Sequence, residues 1–203
     1  MELVIRTLLL LALTAPAALP QFFSFGIKGG TPLSDSLKIA DRATYTSNKS
    51  PAVFGPAVEI RLPLGLGGES GLYYRRLEYA TEGTRTAGQA WEIPLLVKYR
   101  APGDHLRPFL AAGVSARWMA RFKQRTVAPP GAPGSVVAGD PPELVKRVAG
   151  GPTVGGGLEL RLPVIRVSAE LRYTRWGSSS LKSAVGGLAT QLNQADLLLG
   201  LMF

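Results

Sequence analysis

Residues 91–99 read WEIPLLVKY, and their alternation decides the fold. In an extended chain successive side chains point to opposite faces, so Trp91, Ile93, Leu95, Val97 and Tyr99 share one side. Glu92 and Lys98 lie on the other. AVEIRLPL at 57–64 repeats the division with Glu59 and Arg61, and GLELRLPV at 157–164 repeats it with Glu159 and Arg161. A water-soluble barrel and a membrane barrel both show period two; the distribution of aromatics separates them. Trp91 and Tyr99 are eight residues apart on the apolar face. At about 3.3 Å per residue and a tilt near 40°, that is roughly 20 Å along a membrane normal, close to the spacing of two aromatic girdles.

Period two continues along most of the chain. Eight stretches carry it: 22–33, 53–64, 69–81, 89–100, 107–120, 150–162, 165–177 and 192–203. Their lengths suit bilayer-spanning strands of about 9–11 residues with some projection beyond. Three connections are tight: GLGG at 65–68, APGDHL at 101–106 and PV at 163–164, all built from turn formers. The other four are expected to be longer, including SDSLKIADRATYTSNKSPA at 34–52 and QRTVAPPGAPGSVVAGDPPELVKR at 124–147. Short turns at one end and long loops at the other are the asymmetry of a membrane barrel. The expected fold is all-β: an eight-stranded antiparallel up-and-down transmembrane β-barrel over 21–203, preceded by a cleaved signal peptide over 1–20.

The leader reads MELVIRTLLLLALTAPAALP. Arg6 supplies its positive start, Leu8 to Leu13 its apolar centre, and Ala15, Ala17 and Ala18 its small cleavage residues. The apolar run is shorter than the roughly 20 residues a spanning helix needs. Hydrophobic residues make up 46% of the 203 and charged residues only 18%. Cysteine is absent, which excludes disulfides, a thiol redox site and a cysteine-based zinc site. The net charge of +9 is dispersed singly among strands, and export directs the chain away from nucleic acid. A solvated or lumenal role is the expected reading of these charges, with attraction to acidic lipid headgroups the lesser alternative.

FFSFGIKGGTPL, GLYYRRLEY, EIPLLVKYR, RPFLAAGVSARW, ELRYTRWG and LLLGLMF, in that order and spacing, resemble the porin-like outer-membrane β-barrel domain of Gram-negative bacteria. The resemblance covers essentially all of the chain after the leader. It implies residence in the cell outer membrane, contact with outer-membrane lipids, and recognition by the barrel-insertion machinery. The insertion signal would be the apolar row Leu197, Leu199, Leu201 and Phe203. No peptidoglycan-binding domain is expected after Phe203. Many unrelated roles share this fold class, so the family name carries little about activity.

The residues offer little conventional chemistry. His105 is the only histidine and falls in a short turn, where a polar turn residue is the simpler reading than a catalytic base. One histidine and no cysteine leave no metal site, and no cofactor is expected. VAGGPTVGGGLEL at 148–160 lacks a phosphate-loop ending and precedes a strand; small residues facing a crowded lumen or easing curvature explain it better. Pro94 is expected to cause a bulge or local irregularity. The Asn48 sequon is given no weight.

What remains is a charge set opposite the aliphatic rows: Glu59, Arg61, Glu92, Lys98, Arg117, Glu159, Arg161, Arg166, Glu170 and Arg172. An eight-stranded barrel has an interior just wide enough for side chains to fill. These charges are expected to form a mutually neutralising lumenal network. Trp91, Tyr99 and Trp118 are the expected girdle residues. The facing of strand 69–81 stays open, because either parity of YYRR turns an arginine outward. The expected role is structural or surface-interactional, without enzymatic activity, through loops that meet an extracellular ligand of unknown identity. The proline-rich loop carrying Pro129, Pro130, Pro133, Pro141 and Pro142 is the best such contact and is expected to be mobile. A small-solute pore, a lipid-modifying barrel enzyme and a soluble lipocalin-like carrier are the rivals.

Overall fold

The computed structural model describes residues 22–35, 37–39, 46–48, 52–81, 84–126, 136–139, 141, 144–181 and 188–203. The leader and Pro129, Pro130, Pro133 and Pro142 lie outside the described residues. Eight strands form one wall. They are β1 (Phe23–Pro32), β2 (Val53–Arg61), β3 in two pieces (Leu66–Gly71 and Tyr73–Thr81), and β4 (Thr84–Arg100). Then come β5 (Leu106–Thr126), β6 (Val148–Arg161), β7 (Arg166–Arg175) and β8 (Asn193–Met202). Each pairs antiparallel with the next. Strand β8 returns to β1 with Gly26 opposite Met202, which closes the barrel and leaves the wall no free edge.

The turns at 62–65, 101–105 and 162–165 lie at one end, together with residues 22 and 203. At the other end the expectation of four long connections needs correcting. Strands β3 and β4 meet in a tight hairpin, with Thr81 opposite Thr84. Residues 84–90 and 119–126 continue β4 and β5 well past the apolar band, pairing as far as Thr84 with Thr126. Their outer face carries polar, charged and small residues, so no aliphatic row announced the extension. Backbone pairing to a neighbouring strand holds them in place.

That extension contains a bulge. The β4–β5 register shifts between Ala87 and Gln89, and Arg121 on β5 has φ 50°. Gly88 accommodates it, because a Cβ there would stand 2.4 Å from the Phe122 ring. Pro94 itself stays in register opposite Ser115. The irregularity falls instead on β3 at Leu72, flanked by Pro56 on β2 and Pro94 on β4. Leu72 N–H donates to the Pro56 carbonyl (3.0 Å), and Ser70 Oγ donates to the Pro94 carbonyl (2.9 Å). Neither proline can return a backbone bond.

Short segments cap the loop end. Leu37–Ile39 pairs with Leu188–Thr190, Val136–Ala138 extends the sheet beside β5, and Leu144 bridges to Leu181. The glycines of β6 allow close approach of neighbouring atoms. A Cβ at Gly155 would meet Glu170 Oε1 at 3.0 Å, and one at Gly157 would meet the Ala169 carbonyl at 1.9 Å.

The outside of the wall is apolar all round. Ile27, Val58, Leu95, Val114, Leu158, Leu171 and Leu199 are exposed, while the charged residues Lys28, Glu59, Glu159, Glu170 and Arg172 on the opposite face are buried. Water would drive this arrangement the other way, whereas a bilayer rewards it. An Arg on the lipid face at the midplane costs about 2–4 kcal/mol, and closed backbone pairing lets a sheet cross hydrocarbon. The barrel spans a membrane. On β3, Tyr73, Arg75, Leu77 and Tyr79 point in, and Tyr74 and Arg76 point out. The two arginines of YYRR therefore divide, one to each side.

Candidate functional site

The lumen holds the residues with chemical character, arranged in layers. Nearest the short turns, Glu59 of β2 accepts from Lys98 Nζ (2.8 Å), Arg100 Nη2 (2.6 Å) and Arg166 Nη1 (2.9 Å). Glu159 of β6 accepts from Arg100 Nε (3.2 Å) and Arg166 Nη1 (3.3 Å). In the middle, Lys28 of β1 donates to Glu69 of β3 (2.6 Å) and to Glu170 of β7 (2.7 Å). Arg172 donates to the same two carboxylates, at 2.6 Å each. Lys98 reaches Glu69 at 3.2 Å and so joins the two layers.

Toward the loops, Glu92 of β4 accepts from Arg75 Nε (3.0 Å) and Arg117 Nη2 (2.8 Å). Arg75 also donates to Asp196 of β8 (2.8 Å), and Gln194 Nε2 donates to Asp196 (2.7 Å). Arg117 reaches Gln194 as well, and its guanidinium lies 4.0 Å from the Trp176 ring centre. Arginine tolerates such a place because its planar charge can stack on a ring while its edge donates. Among the described residues the buried charges stop at this layer. Leu37, Leu77, Tyr79, Ala90, Met119, Phe122, Leu181 and Leu188 form an apolar cap, with Leu144 packed against it. Leu37, Leu144, Leu181 and Leu188 are contributed by the connecting loops.

Among the described residues, seven buried cations face six buried carboxylates. The near balance is what makes burial tolerable, since a lone buried charge costs several kcal/mol. Eight of the ten expected lumenal charges lie within this network: Glu59, Glu92, Lys98, Arg117, Glu159, Arg166, Glu170 and Arg172. Arg61 is half-buried at the end of β2. Arg161 corrects the expectation. It has lumenal parity, but β6 ends there and the side chain is exposed at the mouth.

Lys28, Glu69, Arg75, Arg100, Gln194 and Asp196 were missed. Arg100 shares the parity of Glu92 and Lys98, and Asp196 that of the residues opposite the leucine row, so alternation alone could have found both. Lys28 sits among glycines that blur the pattern, and Arg75 was hidden by its neighbour Arg76. Among the described residues no group of three or more histidine, cysteine or carboxylate side chains is placed to hold a metal. His105 is exposed in the short turn.

On the outer wall, Phe54, Tyr74, Trp91 and Trp118 are register partners across β2 to β5. The Phe54 and Tyr74 ring centres are 5.6 Å apart, and those of Tyr74 and Trp91 are 5.3 Å apart and edge-on. This band sits toward the loops. Tyr99 lies toward the short turns, as do Phe25 and Phe203, which stack at 6.0 Å. Leu197, Leu199 and Leu201 turn to the outer face of β8, and Phe203 N–H donates to the Phe25 carbonyl (2.9 Å).

No protein-family model matches the sequence, and no curated protein does either. Solved structures with a similar fold include Neisserial surface protein A, at 14% identity and TM-score 0.48, over 90% of this chain and 96% of that one. Ail, the attachment invasion locus protein of Yersinia pestis, is 11% identical with TM-score 0.46, over 89% and 96%. The N-terminal β-barrel domain of Pseudomonas aeruginosa OprF is 15% identical with TM-score 0.37, over 90% and 98%.

Proposed function

We propose that this protein is a structural and surface-interacting barrel of a bacterial outer membrane, non-enzymatic and closed to solutes. Its loops are the working surface, carried on a wall that the barrel-insertion machinery would place. The observation that carries the reading is the filling of the bore. Three ionic layers occupy it, and an apolar cap covers their loop end. A path for water or ions would have to displace paired charges in a bore that eight strands leave only side-chain-wide. The lone histidine lies at the short-turn mouth, away from a rim where an outer-leaflet lipid would be modified.

Planar-bilayer recording tests the closed bore against the small-solute pore. The purified protein should give no steady, large single-channel steps. Reproducible conductance that changes when Glu159 or Arg117 is replaced by a small neutral residue would overturn the plug. Lipid mass spectrometry of cells with and without expression tests the non-enzymatic reading, and should show no modified species.

A further inference from the structure

We propose that the outer wall of β1 to β5 binds a lipid with a phosphate-bearing headgroup, its tail in a groove beside Trp91 and its phosphate on the cations above. This rests on the membrane residence of the barrel. The groove has a volume of about 610 Å³ and an almost wholly apolar lining that includes Ile27, Phe54, Pro56, Leu72, Tyr74 and Trp91. Gln89 is its upper polar residue. The rings of Phe54, Tyr74 and Trp91, tilted or edge-on to one another, make one side of it.

Cations stand directly above. Arg76 is the register partner of Gln89, and Arg85 is the partner of Arg125. Arg76, Arg85, Arg121, Lys123 and Arg125 are all exposed. On the outer face of β3 to β5 the described residues include one carboxylate, Glu78, which pairs with Arg76. The bulge produces this cluster. Below it, Trp118 and Ala120 face outward; beyond it, Phe122 turns in and Arg121, Lys123 and Arg125 turn out. An uninterrupted β5 would keep Phe122 on the outer face with Trp118, and would turn Arg121 and Lys123 inward.

A phosphate ester offers several charged acceptors to guanidinium forks and an ammonium. A zwitterionic headgroup would meet its own positive group against this excess of cations. The cations lie on top of an apolar groove, so an amphiphile satisfies both surfaces where a soluble polyanion would satisfy one.

The test uses Trp91 as reporter. In the Trp118→Phe/Trp176→Phe variant, folding being checked by heat-modifiable gel mobility, Trp91 is the single tryptophan. The protein is reconstituted in phosphatidylcholine vesicles containing either chain-brominated phosphatidic acid or chain-brominated phosphatidylcholine at equal mole fraction. Brominated phosphatidic acid should quench Trp91 more, with a relative association constant of about fivefold or above, as expected for even one surface cation engaging an anionic headgroup. Adding Arg85→Gln, Arg121→Gln, Lys123→Gln and Arg125→Gln, which leaves only Arg76, paired with Glu78, should bring that ratio to about one while quenching by phosphatidylcholine is unchanged.

Equal quenching by the two lipids without the glutamine changes would overturn the proposal, as would a preference that survives them. Binding of dextran sulfate to detergent-held protein, dependent on the same four cations and with no phosphatidic acid preference in vesicles, would assign the cations to a soluble polyanion and also overturn it. Failure of both brominated lipids to quench Trp91 is a different result. It would remove the membrane residence on which the proposal rests.

Discussion

Replacing Glu69 by glutamine removes one carboxylate from the centre of the lumen while keeping its shape. Glu69 accepts from Lys28 and Arg172 at 2.6 Å and from Lys98 at 3.2 Å. At about 1.5–3 kcal/mol net for each bond to a charged group, three such contacts set an upper range of about 4.5–9 kcal/mol. Each cation keeps a second partner, however: Lys28 and Arg172 keep Glu170, and Lys98 keeps Glu59. The cost should therefore fall near 4 kcal/mol, within the roughly 3–5 kcal/mol typical of breaking a buried pair by removing one side. Lys28→Met added to Glu69→Gln removes a cation together with the carboxylate. The double change should cost less than the sum of the singles by at least about 1.5 kcal/mol, as expected for residues in one network. Urea unfolding from lipid vesicles, followed by tryptophan fluorescence with m-values compared between variants, measures both quantities. A single-variant cost below about 1 kcal/mol, or strict additivity in the double, would refute the reasoning that the lumen is held by mutual neutralisation.

Three other expectations concern the wall. Spin labels at Leu160→Cys and Glu159→Cys should separate, position 160 being reached by lipid-soluble oxygen and position 159 shielded from it; the reverse order would remove the membrane assignment. Deleting Phe203, which stacks on Phe25 and donates to its carbonyl, should lower outer-membrane yield and leave degraded or aggregated chain in the periplasm, and undiminished yield would refute its part in insertion. Gly88→Ala should destabilise by about 1–3 kcal/mol, the usual cost of overpacking, because the new Cβ meets the Phe122 ring. In the same urea assay a neutral substitution would show that the bulge does not depend on that glycine.

Alternation made the wall legible before any coordinates. The apolar rows of WEIPLLVKY, AVEIRLPL and GLELRLPV lie on the outer face, as their parity implies, since one slip of register would expose every charge to hydrocarbon. Strand order followed from the pattern of turns, because an antiparallel meander closed on itself pairs each strand with its sequence neighbours. The extensions of β4 and β5 were illegible, because a strand beyond the bilayer has no lipid-facing row to mark it. The facing of β3 was illegible for a different reason, consecutive arginines being compatible with either parity.

The amino-acid sequence by itself determined a barrel, its strand number, the side of the wall that meets lipid and most of the charges inside, because lipid and lumen impose opposite polarity on alternate residues. Tertiary structure alone decided which charges meet. Glu59 joins cations from β4 and β7, and Lys28 bridges β3 and β7, contacts that run across the bore and leave no periodic trace along the chain. It also decided the apolar cap and the outward turn of Arg121 and Lys123. The cap gathers loop residues far apart in sequence, and the outward turn follows from one extra residue in one strand, which alternation read along a single chain cannot reveal.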